Sequence, residues 1–298
     1  MATRRLSDTD DWLSNAGEGL SRRQFLAGVG VTGASLAGFA IAANPVAAQV
    51  ITTPTDGLTV TETKVESKGF QVPIYEARPA AAGRYPVVLV IPEVWGMHEH
   101  IKDVARRFAR EGFLAITFET YAREGGTLQL PDQQAVMKVA NSVSDAQVMG
   151  DLDALVAYAK GLPAARPDRI GVTGFCRGGM YALLFAAHNA DVKAAVPWYG
   201  PIKPAKAPGI RDVGPLDVAA KITAPVLGLY GEADQGIPVA DVKEMEAALK
   251  AAGKTAEFII YPGAPHAFNA DYRQSYRPEA AKDAWARCVA FFNKYLKG

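Results

Sequence analysis

Cysteine is scarce in this chain: 2 in 298 residues, Cys176 and Cys288. That count excludes a disulfide-dense scaffold and a cysteine-rich zinc site. An excess of one charge is also missing. The 32 Lys and Arg against 31 Asp and Glu leave a net +1, which offers no electrostatic case for nucleic acid. No Gly-x-Ser-x-Gly occurs anywhere, so no serine competes for the nucleophile position of a strand-to-helix elbow. Past the N-terminal segment no run approaches transmembrane length without charges. No internal repeat is visible. What is present is an ordinary globular balance, 49% hydrophobic and 21% charged.

Residues 1–48 read as a targeting segment outside the fold. Ser21-Arg22-Arg23-Gln24-Phe25-Leu26 is a twin-arginine pattern. A weakly hydrophobic stretch, residues 27–43, follows it and is broken by Gly28, Gly30, Gly33 and Gly38. Val46-Ala47-Ala48 offers a small-residue cleavage site before Gln49. The order predicts a bacterial chain exported folded by the twin-arginine machinery, periplasmic or secreted, with no stable membrane anchor after cleavage. An uncleaved anchor is the competing reading, because ~17 apolar residues come close to spanning length. Residues 49–298 then make one domain.

Apolar strand-like runs at 86–91, 113–118, 170–175, 193–198, 225–230 and 257–261 alternate with helical patterns at 101–111, 146–161, 239–252 and 278–295. This alternation predicts the α/β class: a mostly parallel central sheet with helices on both faces. Residues 59–67 and 70–76 alternate more and predict an antiparallel pair at one edge. Residues 201–215 read as a Pro/Gly-rich loop. Residues 123–144 are polar and take no assignment. Cys288 falls on the apolar side of the last helix and is expected in the core, and a nucleophilic Cys176 argues against a disulfide between the two.

The most informative segment is Gly174-Phe175-Cys176-Arg177-Gly178-Gly179. Glycines two before and two after a nucleophile, on a strand-to-helix turn, form a nucleophile elbow, here with cysteine in place of serine. The turn sets Cys176 at a helix N-terminus, where unpaired N–H groups and the dipole favour a thiolate. The Arg177 N–H points where an oxyanion would form. A small buried thiol in a Gly-rich turn is the bland alternative.

Active residues of an open α/β sheet gather at the C-terminal ends of its strands. Asp234 and His266 follow two of the predicted strands, in the chain order nucleophile, acid, histidine. His266 would take the thiol proton, or stabilise a thiolate as imidazolium, and Asp234 would orient the imidazole. Glu93, in Ile91-Pro92-Glu93-Val94-Trp95-Gly96, follows the first central strand. Val94 is the candidate for the second oxyanion N–H. Glu93 in a dry site is expected to have a raised pKa and to be able to take the thiol proton. His98 and His100, with Glu93 and Glu99, make only a weak metal pattern, and no metal is assigned.

Four segments together resemble the dienelactone hydrolases (carboxymethylenebutenolidases) of the α/β-hydrolase superfamily: 91–96, 174–179, Gly231-Glu232-Ala233-Asp234-Gln235-Gly236-Ile237-Pro238, and Gly263-Ala264-Pro265-His266-Ala267-Phe268. Gly150-Asp151-Leu152-Asp153-Ala154 and Tyr121-Ala122-Arg123 are similar to family features as well. The resemblance implies an α/β-hydrolase fold and a Cys176–His266–Asp234 triad. It also implies an acyl-enzyme, no metal or cofactor, and a role for Glu93 in deprotonating the cysteine when substrate binds. The family's prototypes open an unsaturated lactone bearing a carboxylate. The arginine they place four residues after the histidine is Ala270 here, and a second one has no counterpart near Gln133-Gln134. Arg273, Arg277 and Arg123 are the candidates to replace them, with Trp95 also expected to line the substrate site, and Arg177 could meet an anionic group. The expected partner is a small ester or lactone. Thioester or peptide hydrolysis, and a non-catalytic binding protein on the same fold, are the alternatives.

Overall fold

The structure, a computed structural model, describes residues 50–298; the twin-arginine pattern and the cleavage site lie outside the described residues. Eight strands form one sheet: β1 (Leu58–Ser67), β2 (Phe70–Pro79), β3 (Tyr85–Ile91), β4 (Leu114–Phe118), β5 (Ala165–Phe175), β6 (Val192–Trp198), β7 (Val226–Gly231) and β8 (Ala256–Tyr261). Their spatial order is β1-β2-β4-β3-β5-β6-β7-β8. β2 alone runs against its neighbours; β3 to β8 pair in parallel. The expected antiparallel edge is present. Lys68 and Gly69, with φ of 49° and 81°, close it as a two-residue hairpin, because positive φ at both central positions matches the twist of the strands.

The central strands are apolar throughout because they are covered twice. Val87 to Ile91 in β3 are wholly buried, as are Leu114, Ala115 and Ile116 in β4. The described helices are α1 (Glu99–Arg110), α2 (Gln133–Ser142), α3 (Asp145–Gly161), α4 (Arg177–His188), α5 (Val239–Ala251) and α6 (Pro278–Phe292). α1 buries the face read from its spacing, Ile101, Val104, Ala105 and Phe108. Phe108 meets Phe113 and, on α6, Trp285 and Phe292. Cys288 is fully buried, and both cysteines are free thiols.

The unassigned stretch 123–144 contains the end of a short 3-10 turn, Ala122–Glu124, and then α2. α2 buries only Val136 and Ala140, so its hydrophobic period is faint. Asp132 starts it by accepting the Ala135 N–H. α2 has a task at the elbow. The Arg177 guanidinium reaches back to the Ala140 carbonyl at 2.9 Å and to Asn141 Oδ1 at 2.6 Å. Among the described residues no helix is long and apolar enough to cross a membrane.

Candidate active site

Cys176 sits at the junction of β5 and α4 with φ 55° and ψ −122°. A non-glycine residue enters that region only when its surroundings force it. The forcing comes from close backbone approach. A Cβ on Gly174 would strike the Gly178 carbonyl, and one on Gly178 would strike the carbonyls of Ile91 and Pro92. The Cys176 N–H donates to the Trp198 carbonyl at 3.0 Å, which ties the elbow to the end of β6. Among the described residues three other non-glycine positions have positive φ. One is the hairpin residue Lys68; the other two, Tyr199 and Ala267, stand on strand-end loops beside this site.

His266, after β8, and Asp234, after β7, meet at 2.7 Å between Nδ1 and Oδ2. A carboxylate can only accept, so Nδ1 carries the proton and Nε2 is left for the sulfur. Asp234 is itself held, its other oxygen accepting the Gly236 N–H at 2.8 Å. Burial alone would lower the His266 pKa. The negative charge of Cys176, hydrogen bonds with Asp234 and Cys176, and the charge of Asp234 outweigh it and push it up to about 10.

Glu93 is buried beyond the end of β3, 1% exposed. The raised pKa expected from the sequence is corrected here. Burial does push the carboxyl up, but the pairing with His98 and the charges of His98, His100 and Arg273 outweigh it and hold it below the usual carboxylate range, while burial in turn lowers the His98 imidazole. Tyr272 donates its hydroxyl to Glu93 Oε2 at 2.5 Å, and His98 Nε2 lies 3.5 Å from the same oxygen. Neither partner was legible in the sequence. Tyr272 joins Glu93 across 179 positions of chain, and His98 was read only as half of a weak metal pair. Among the described residues no group of three or more His, Cys, Asp or Glu could hold a metal ion. His100 is instead engaged with Asp271, Nδ1 to Oδ1 at 3.2 Å, and Asp271 pairs onward with Arg107 at 2.5 Å.

Val94 is nearly buried in the loop between β3 and α1. Arg177 is the first residue of α4, and its N–H therefore has no carbonyl one turn back. The loop is fixed from below by Glu119, after β4, which accepts the Met97 N–H at 2.8 Å and the Tyr121 N–H at 3.2 Å. Burial pushes the Glu119 carboxyl up to about 7. Sequence reasoning did not find this clamp.

The candidate arginines separate. Arg273 lies over the Trp95 ring, 5.7 Å from its centroid, within electrostatic reach of Tyr272, Glu93, Cys176 and Tyr199. Arg123 is corrected as a substrate ligand. Both its terminal nitrogens go to Asp151, at 2.6 and 2.8 Å, and one also reaches the Ser67 carbonyl at 2.8 Å, so the fork is occupied. Arg177 is likewise spent on α2, and Arg277 on the carbonyls of Gln274 and Tyr276. Ala270 is wholly buried.

A mostly parallel sheet in this order, with a strained elbow after β5, an acid after β7 and a histidine after β8, defines an α/β-hydrolase fold. A model of the Dienelactone hydrolase family matches residues 72–296; the chain belongs to that family and is a dienelactone-hydrolase-like hydrolase. It is 50% identical over 279 residues, 93% of this chain and 94% of the other, to a protein of Methylorubrum extorquens provisionally named a carboxymethylenebutenolidase. A protein of Escherichia coli K12 with the same provisional name is 43% identical over 264 residues, 87% of this chain and 95% of its own. A crystal structure of a provisionally named dienelactone hydrolase from Klebsiella pneumoniae superposes with a TM-score of 0.77 at 45% identity, covering 80% of this chain and 99% of that one.

Proposed function

We propose that this chain hydrolyses small lactones or esters through Cys176, His266 and Asp234, by way of an acyl-enzyme. The observation that carries the reading is the His266 imidazole, hydrogen-bonded through Nδ1 to Asp234 at 2.7 Å and within electrostatic reach of Cys176 on its strained elbow. In this reading His266 holds the proton of the Cys176 thiol as an imidazolium, and the sulfur attacks the acyl carbon as a thiolate. The negative oxygen develops toward the Val94 and Arg177 N–H groups. His266 gives its proton to the departing oxygen, and a water then releases the acid by the same steps reversed. Glu93 enters as a fixed carboxylate. Tyr272 holds its Oε2, and its Oε1 accepts no hydrogen bond from any described residue. The resemblance assigns no cofactor to these steps.

Trp95 and Arg273 are the proposed substrate-facing pair. A guanidinium stacked on an indole beside the nucleophile suits an acidic substituent. The names of the relatives favour an enol lactone as the substrate form. We further propose that residues 1–48 are a twin-arginine signal, that residues 49–298 are the mature single domain, and that this domain works outside the cytoplasm. The activity is tested by assaying residues 49–298 on p-nitrophenyl acetate and an enol lactone beside Cys176→Ala. The variant is expected to lose at least a hundredfold in kcat, on the order of what loss of a nucleophile removes. Equal rates would overturn the reading.

A further inference from the structure

Tyr199 directly follows β6, and the steps above make no use of it. Its side chain is wholly buried, and its hydroxyl makes no hydrogen bond to any described residue. Its backbone stands at φ 37°, a strained value for an aromatic residue. Two bonds hold the strain in place. The Tyr199 N–H donates to the Leu229 carbonyl at 2.9 Å, and the preceding carbonyl, of Trp198, accepts the Cys176 N–H at 3.0 Å. The ring is packed edge-on against His266, with centroids 5.2 Å apart, and against Phe268 at 5.5 Å; Phe175 lies at 6.2 Å. The charges of Glu93 and Cys176 reach the hydroxyl.

A buried hydroxyl without a partner destabilises the folded chain, and phenylalanine would fill the same space without that penalty. Strain and an orphaned donor at one residue, against the catalytic histidine, point to a use that only substrate completes. Tyr181 and Tyr230 also carry buried unpartnered hydroxyls. Tyr181 stands within reach of Asp145 and Arg211, and Tyr230, though the charge of Asp234 reaches it, stacks its ring on Phe258.

We propose that Tyr199 is a further catalytic residue, whose hydroxyl donates a hydrogen bond to the substrate oxygen that leaves the acyl carbon. The side of the site follows from the packing. The Val94 and Arg177 amides take the carbonyl oxygen, whereas Tyr199 abuts His266, which must protonate the leaving oxygen. As the sulfur–carbon bond forms, the carbon–oxygen bond breaks and its electron pair goes to that oxygen. The proton comes from His266 Nε2, and Tyr199 keeps its own. Burial pushes the Tyr199 hydroxyl well above the usual phenol range, which keeps it a donor.

This inference rests on the Cys176 reading, and one experiment separates the two. Residues 49–298, Tyr199→Phe and Cys176→Ala are compared on a p-nitrophenyl ester and on the ethyl ester of the same acid, with a thermal melt for each. Tyr199→Phe is expected to melt at or above the parent. It should lose about tenfold in kcat on the ethyl ester and little on the p-nitrophenyl ester, with KM held. An unpaired hydroxyl can be removed without loss of fold, and a poor leaving group needs the bond most. Unchanged rates, equal losses on both esters, or a loss that comes with a fall in Tm would overturn the proposal. An inactive Cys176→Ala with a fully active Tyr199→Phe sinks this inference alone. An active Cys176→Ala sinks the proposed function and this inference with it.

Discussion

Asp234 accepts His266 Nδ1 with one oxygen and the Gly236 N–H with the other, so its carboxylate cannot turn away from the imidazole. Asp234→Asn keeps the shape and loses the charge, and it can present an NH₂ where an acceptor is needed. We expect kcat to fall on the order of 10²- to 10⁴-fold with KM little changed, read from steady-state kinetics. The same pair sets a pH limit. With a folded pKa near 10, His266 stays protonated, and able to serve the leaving group, until the pH rises through about 10. The sign for stability agrees. A histidine raised from 6.5 contributes fully below 6.5, and that contribution is lost as the pH climbs through about 10. The high-pH limb of kcat is therefore expected near 10, and lower in Asp234→Asn, where one of the raising partners is gone. A limb near 6.5 in the parent would show that the imidazole is not held as drawn.

The elbow and the β3–α1 loop are built against each other, so neither moves alone. A Cβ on Gly178 would meet the Ile91 and Pro92 carbonyls, immediately before Glu93 and Val94. Gly178→Ala is expected to destabilise by about 1–3 kcal/mol, seen as a lower Tm, and to lose activity beyond what the unfolded fraction explains. This contact could be read in the sequence as a motif, because a glycine at that place in an elbow has one meaning. The strands were legible for a similar reason. Val87 to Ile91 face apolar neighbours on both sides and leave an unbroken hydrophobic run. α2 was not legible, since it buries only Val136 and Ala140 and is marked mainly by its Asp132 cap. Glu93 shows where local reading fails. Its burial was expected, but its charge state depends on Tyr272, His98, His100 and Arg273, two of them far along the chain, and no spacing brings those together. Glu119 and Tyr199 were missed on the same ground: each acts through a loop that the fold sets beside it.

At the scale of the whole molecule, the C-terminal ends of β3, β5, β6, β7 and β8 bring Glu93, Cys176, Tyr199, Asp234 and His266 to one edge of the sheet. Replacing both Arg22 and Arg23 by lysine is expected to keep the protein in the cytoplasm with its hydrolase activity intact, measured by fractionation and assay. Equal periplasmic yield from the doubly substituted chain would remove the export proposal and leave the chemistry standing.

The central claim is that Cys176 becomes acylated during turnover. Its most direct test is rapid acid quench of residues 49–298 mixed with a p-nitrophenyl ester, followed by peptide mass spectrometry. The account predicts the acyl group on the peptide holding Cys176, formed and lost at rates compatible with kcat, and absent from Cys176→Ala. Full turnover with Cys176 unmodified, or the acyl group on another side chain, would contradict it.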